Sequence, residues 1–218
     1  MTEVWYCDTS EFSEEDYQLL LERFEKPQQD EIVKFRFLKD RLFRILGRIM
    51  VCHCLKCRVE DIQKTAYGKP FVANNSSFNI SHAGTIVAVA FSDQEIGLDI
   101  EASIEADFTG ILSCFHPEEL AEYHQSKPAL HKEMFYRIWT RKEAFLKATG
   151  NGIVKGLNLQ NCLLPHINYS SAQWHIESFY EIENYSGAFC QKNTPVSTIQ
   201  FRKLNKTIIL QQYESLFI

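Results

Sequence analysis

With nine glycines and six prolines, the chain has too little of either for a fibrous or low-complexity protein. It also lacks an apolar run that could span a bilayer. The longest clean stretch, Ile86 to Phe91, falls far short of the roughly 20 residues a spanning helix needs. Positive charge is not in excess: 28 acidic residues against 23 basic ones give a formal net charge of −5, which argues against a general nucleic-acid binder. The opening MTEVWYCDTSEF has neither the basic nor the apolar region of a secretory signal. Seven cysteines, odd in number and unevenly spaced, do not form a disulfide framework and read as reduced thiols. These absences lead us to expect a soluble cytoplasmic protein without a membrane or nucleic-acid partner.

What the chain does have is 45% apolar residues over 218 positions, enough to bury a core without staples. Ser13 followed by Glu14, Glu15 and Asp16 marks a helix start, expected to run to about Lys26. From about Gln29 to Cys57, Phe35, Leu38, Leu42, Ile45, Leu46 and Ile49 recur at helical spacing and predict one long helix. Arg41, Arg44 and Arg48 fall on a neighbouring stripe. Three strands are expected next, Ser77 to Ile80, Thr85 to Phe91 and Ile96 to Glu101, forming one small antiparallel sheet. Helices return at Pro117 to Gln125 and from Ala129 to about Ala148, the latter stopping at Thr149-Gly150-Asn151-Gly152. The tail from about Gln173 to Phe217 reads as strands. Helices followed by strands thus appear twice, which suggests an α+β fold of two halves, 1–100 and 101–218, with a seam near residue 100.

Four groups of residues could carry chemistry. Asp99 and Glu101, two apart on a strand, point to the same side of a sheet, where paired carboxylates suit a hard cation or line a solvated face. Glu143 and Lys147 stand at i and i+4 within Trp139-Thr140-Arg141-Lys142-Glu143-Ala144-Phe145-Leu146-Lys147, spacing that alone would also fit a surface ion pair. Ser81-His82-Ala83-Gly84 follows a strand and can offer a hydroxyl, an imidazole and backbone N–H groups to a phosphate. The arginine stripe, with Lys69 in the turn Gly68-Lys69-Pro70, would suit an anion bearing several phosphates. Cys52, His53, Cys54 and Cys57 crowd within one predicted helix and lack the second ligand pair of a zinc site.

The ordered set Gly68-Lys69-Pro70, Phe78-Asn79-Ile80-Ser81-His82-Ala83-Gly84, Ile96-Gly97-Leu98-Asp99-Ile100-Glu101 and Trp139 to Lys147 resembles the Sfp-type 4′-phosphopantetheinyl transferases. The likeness is strong from about residue 67 to 152 and faint over the first thirty residues and the tail. It implies two similar halves forming a pseudo-dimer, with coenzyme A in the cleft between them. It also implies Mg²⁺, with Mn²⁺ as an alternative, and transfer of the phosphopantetheine arm to a serine of an apo acyl or peptidyl carrier protein, releasing adenosine 3′,5′-bisphosphate. Carried over by position, Asp99, Glu101 and Glu143 are the metal acids, Glu143, Lys147 and His82 the catalytic groups, and Ser81, His82, Lys69 and Lys147 coenzyme contacts. Arg41 and Arg44 both remain candidates for the family's basic position, and Glu119 is a further acid. The resemblance implies a monomer. A Mg²⁺-dependent nucleotide hydrolase or phosphotransferase without a protein acceptor could use the same acids.

Overall fold

A computed structural model describes residues 2–73, 77–150, 157–194 and 198–215. In chain order the elements are β1 (Thr2–Asp8), α1 (Glu14–Leu21), α2 (Lys26–Ile32), α3 (Leu38–Leu55), β2 (Gln63–Lys64), β3 (Pro70–Phe71), β4 (Ser77–Ala83), β5 (Ile86–Ser92) and β6 (Ile96–Ala102). There follow α4 (Pro117–Gln125), α5 (His131–Thr149), β7 (His166–Tyr169), β8 (Ala172–Phe179), β9 (Tyr185–Lys192), β10 (Ile199–Lys203) and α6 (Lys206–Ser215). The fold is α+β, with two four-stranded sheets ordered β10-β1-β5-β4 and β6-β9-β8-β7, and β2 and β3 form a short hairpin.

Strand alternation arranges these sheets into layers. Val87 and Val89 of β5 join Leu42, Ile45, Leu46 and Ile49 of α3 in one core cluster. Ile86, Ala88 and Ala90 of the same strand turn the other way and meet Ile96, Leu98 and Ile100 of β6. Every residue of β5 is therefore buried, which explains the unbroken apolar run Ile86 to Phe91. Beyond the second sheet, Ala144, Phe145 and Ala148 of α5 pack on Ile176, Ala188 and Cys190. The order is helices, sheet, sheet, helix, and each fully buried Leu or Ile contributes about 1.5–3 kcal/mol.

The sheets meet through an unusual junction. Ser77, Asn79 and Ser81 share one side of β4, and their side-chain oxygens accept from the N–H groups of Ile96 (3.3 Å), Leu98 (2.8 Å) and Ile100 (3.2 Å). A row of side chains thus satisfies the free edge of β6, whose backbone ladder runs to β9.

Several expectations need correction. The third strand does not join the first two: the chain changes sheet between Ser92 and Ile96, because β6 finds its ladder partner about ninety residues later. The long helix is two, broken at residues 33–37, where Phe37 is extended and Arg41 Nε donates to the Phe35 carbonyl at 2.7 Å. The apolar period survives the break and so conceals it. The tail is not all strand: α6 begins after Asn205, whose Oδ1 accepts from Ile208 N at 2.9 Å as a helix cap. Strand β1, at the centre of the first sheet, carried no expectation. Ser13 does cap α1, with Asp16 completing the capping box, and α5 ends at Gly150 in a left-handed conformation; Asn151, Gly152 and Phe217 lie outside the described residues. Chain from the C-terminal region also recrosses to the first sheet as β10, parallel to β1.

One contact governs how close α5 comes to β6. A methyl group on Gly97 would run into the Ala144 carbonyl and the Ala148 backbone, whose Cα would lie 2.9 Å away. Gly97→Ala should therefore cost about 2 kcal/mol or more and lower the melting temperature by about 4–8 °C. An unchanged melting curve by circular dichroism would contradict the closeness of this packing.

Candidate active site

The face of β6 opposite its apolar side carries Gly97, Asp99 and Glu101, and it is covered by α5. Because Ala144 and Ala148 sit on Gly97, the residues one position earlier, Glu143 and Lys147, are brought to the acids. Lys147 Nζ lies 2.6 Å from Asp99 Oδ1 and 3.0 Å from Ser81 Oγ, and the Ser81 hydroxyl donates to Asp99 Oδ1 at 3.1 Å. Trp139 Nε1 donates to Glu101 Oε1 at 3.1 Å and fixes that carboxyl. Lys147 thus pairs with Asp99 rather than with Glu143 one turn away.

These acids are poorly solvated. Burial pushes the Asp99 carboxyl up despite the opposing charge of Lys147. Burial, then the charge of Asp99, raises Glu143, and burial followed by Asp99 raises Glu101 to about 7. Asp99 Oδ2 and Glu143 Oε1 are buried and have no hydrogen-bond partner. Hard oxygens left unpaired in this way fit a divalent cation. Among the described residues, no three His, Cys, Asp or Glu side chains are already gathered on one point.

In the rest of the α5 signature, Thr140 bonds within the helix, while Arg141 and Lys142 hold it in place. Thr140 donates to the Tyr136 carbonyl, and Arg141 donates through Nε to the Cys162 carbonyl and through Nη2 to that of Leu164. Lys142 is wholly buried with Glu119 at 2.7 Å, and also donates to the carbonyls of Leu157 and Gln160. Glu119 accepts in turn from the N–H groups of His116 and Cys162. Glu119 therefore belongs to a satisfied structural ion pair. Lys142 escaped attention in the sequence, although its place between Ile138 and Phe145 on the apolar stripe was a signal.

A cleft leads away from the acids. A cavity of about 310 Å³ is lined by Glu143, Lys147, Gly68, Lys69, Pro70 and Ile80, and one of about 420 Å³, sharing Gly68, Pro70 and Ile80, continues to Arg44, Arg48, Lys64 and His82. The His82 ring stacks on Phe43, with centroids 4.5 Å apart, and keeps an exposed edge. Desolvation, then the charges of Arg44 and Lys147, lowers its pKa. The two other basic groups expected at the coenzyme bond backbone carbonyls of this chain. Arg41 bonds the Phe35 carbonyl and lies over the Tyr17 ring. The Lys69 ammonium donates to the carbonyls of Ile96 (3.1 Å), Lys147 (2.7 Å) and Ala148 (3.1 Å), clamping the end of α5 to the start of β6.

Residues 95–192 match the model of the 4′-phosphopantetheinyl transferase superfamily, and residues 10–94 match that of the 4′-phosphopantetheinyl transferase N-terminal region. A putative 4′-phosphopantetheinyl transferase of Synechocystis is 32% identical over 189 residues, covering 79% of this chain and 73% of that protein. The chain belongs to the 4′-phosphopantetheinyl transferases. A 4′-phosphopantetheinyl transferase of Aneurinibacillus migulanus shares 26% identity over 93% of this chain and 89% of its own. One from Escherichia coli O157:H7 shares 32% over 67% of this chain and 73% of its own. In this transferase the two family matches meet at residues 94 and 95, within the turn where the chain changes sheet.

Two measurements check the electrostatics. Lys142→Met leaves Glu119 buried and unpaired, at a cost of about 3–5 kcal/mol, so the melting temperature should fall by about 10 °C. Adding Glu119→Gln, which removes the charge but keeps an acceptor for the N–H groups, should recover part of that loss; a further fall would show that the two residues do not act as a pair. Glu101, raised from 4.5 to about 7, binds its proton more tightly when folded, so its contribution is present at low pH and fades as pH rises through 7. Glu101→Gln should therefore melt above the native protein at pH 8 and level with it near pH 4.5. An equal difference at both pH values would refute the shift.

Proposed function

We propose that this transferase moves the 4′-phosphopantetheine arm of coenzyme A to a serine hydroxyl of an apo acyl or peptidyl carrier protein. The observation that carries this reading is the bonding of Lys147 to Asp99 and Ser81, with Glu101 and Glu143 near enough to feel the Asp99 charge, behind a cleft that Glu143 and Lys147 line at one end and that is basic at the other. The serine oxygen bonds to the phosphorus bearing the pantetheine, the bond from that phosphorus to the bridging oxygen breaks, and adenosine 3′,5′-bisphosphate leaves. Glu143, desolvated and with an unpartnered oxygen, takes the serine proton. Lys147 and Ser81 meet the charge that develops on the departing bridging oxygen. His82 donates a ring N–H to the diphosphate, and Arg44 supplies positive charge further along the cleft.

Asp99, Glu101 and Glu143 would hold Mg²⁺, or Mn²⁺ in its place; when bound, the ion neutralises the diphosphate and the carboxylates together. Both walls of the cleft come from one chain, which supports a monomer. No described helix is long and apolar enough to cross a membrane, and cytoplasmic residence is our reading.

Incubation of a panel of apo carrier proteins with coenzyme A and Mg²⁺ should show, by mass spectrometry, one phosphopantetheine added per carrier. Asp99→Ala should slow that addition at least 100-fold. If no carrier gains mass, and the bisphosphate is released from coenzyme A alone, the protein is instead a nucleotide hydrolase.

A further inference from the structure

The basic end of the cleft already contains an anion. Glu31 of α2 opens into the cavity of about 420 Å³ alongside Arg44, Arg48, Lys64 and His82. Its Oε2 accepts from Arg48 at 2.9 Å and its Oε1 from Lys64 at 2.5 Å. Arg48 is the buried partner, at 15% side-chain exposure, whereas Glu31 and Lys64 are 43% and 55% exposed. The Lys64 hydrogen bond, with Arg48 and Arg44 nearby, holds the Glu31 carboxyl below its ordinary value against partial burial. Among the described residues Arg48 and Lys64 pair with Glu31 and Arg44 pairs with no carboxylate; its guanidinium lies over the Phe35 ring at 4.6 Å.

Three cations clustered at one end of a nucleotide cleft suit a phosphate monoester dianion. Coenzyme A carries one on its ribose, at a distance from the diphosphate that reacts. To reach Arg48 and Lys64, that phosphate must displace the Glu31 carboxylate and its two charge-assisted hydrogen bonds, or lie beside it as a like charge. Either course weakens its binding.

We propose that Glu31 is a specificity-determining residue: by occupying Arg48 and Lys64 it loosens the hold on the ribose phosphate, so that coenzyme with and without that group is accepted more evenly. The proposal rests on the coenzyme reading above and adds to it the residue that sets discrimination at this end of the cleft. Glu31 lies on α2, apart from the elements that carry the reacting groups.

The test compares Glu31→Gln with the native chain by isothermal titration at low salt. Adenosine 3′,5′-bisphosphate and adenosine 5′-monophosphate serve as probes. The substitution keeps the size of the side chain and removes its charge. The bisphosphate should bind about tenfold more tightly, and the monophosphate should change less than twofold. The ratio of KM for dephospho-coenzyme A to KM for coenzyme A should rise by a similar factor, with kcat unchanged. Adding Arg48→Gln to the same variant should abolish the gain. Equal changes for both nucleotides, or weaker bisphosphate binding, would overturn the proposal. Carrier loading with an unaltered KM ratio would overturn it while leaving the function intact; failure of either nucleotide to bind the native protein, together with no carrier loading, would overturn both.

Discussion

Strand β6 is held from three directions, and the rest of the site depends on that. Its ladder runs to β9, its free N–H groups are taken by Ser77, Asn79 and Ser81 of β4, and its polar face is pressed by α5 at Gly97. Each restraint comes from a different part of the chain. Together they bury Asp99 at 4% exposure and leave its carboxyl short of partners. A buried carboxylate of that kind is unfavourable unless a cation is near, and Lys147 supplies one. The same packing of α5 brings Glu143 within reach of the Asp99 charge.

Helix α5 divides its labour among neighbouring residues. Arg141 and Lys142 bond carbonyls of the segment 157–164, and so fix the rotation and depth of the helix. Glu143 and Lys147 then point into the cleft. Lys69 adds a third point of attachment at the last turn, where a cation also complements the helix dipole. Residues that look alike in the sequence, such as the neighbours Lys142 and Glu143, therefore do unlike work: one is sealed in the core against Glu119, the other faces the cleft.

The modest negative charge of the chain conceals a separation of charge along this cleft. Acids gather at the β6 end and Arg44, Arg48 and Lys64 at the other, with Glu31 among them. The cysteines take no part. Burial pushes Cys7, Cys54 and Cys162 up to about 12, and such thiols behave as small apolar side chains.

Local spacing determined a good deal. The two-residue period placed Asp99 and Glu101 on one face, the four-residue period placed Glu143 and Lys147 together, and Ser13 with Asp16 marked the start of α1, because backbone geometry alone dictates these relations. The order of the motifs pointed to the family. Only the tertiary structure decided that β6 leaves β5 for β9, that β10 returns to β1, and that side chains rather than backbone join β4 to β6. It also placed Arg44 on the cleft and Arg41 on the Phe35 carbonyl, and it turned the Lys69 ammonium toward the end of α5. Period fixes which face a side chain takes. The partner waiting on that face is brought by residues far away in the chain, and no local pattern names it.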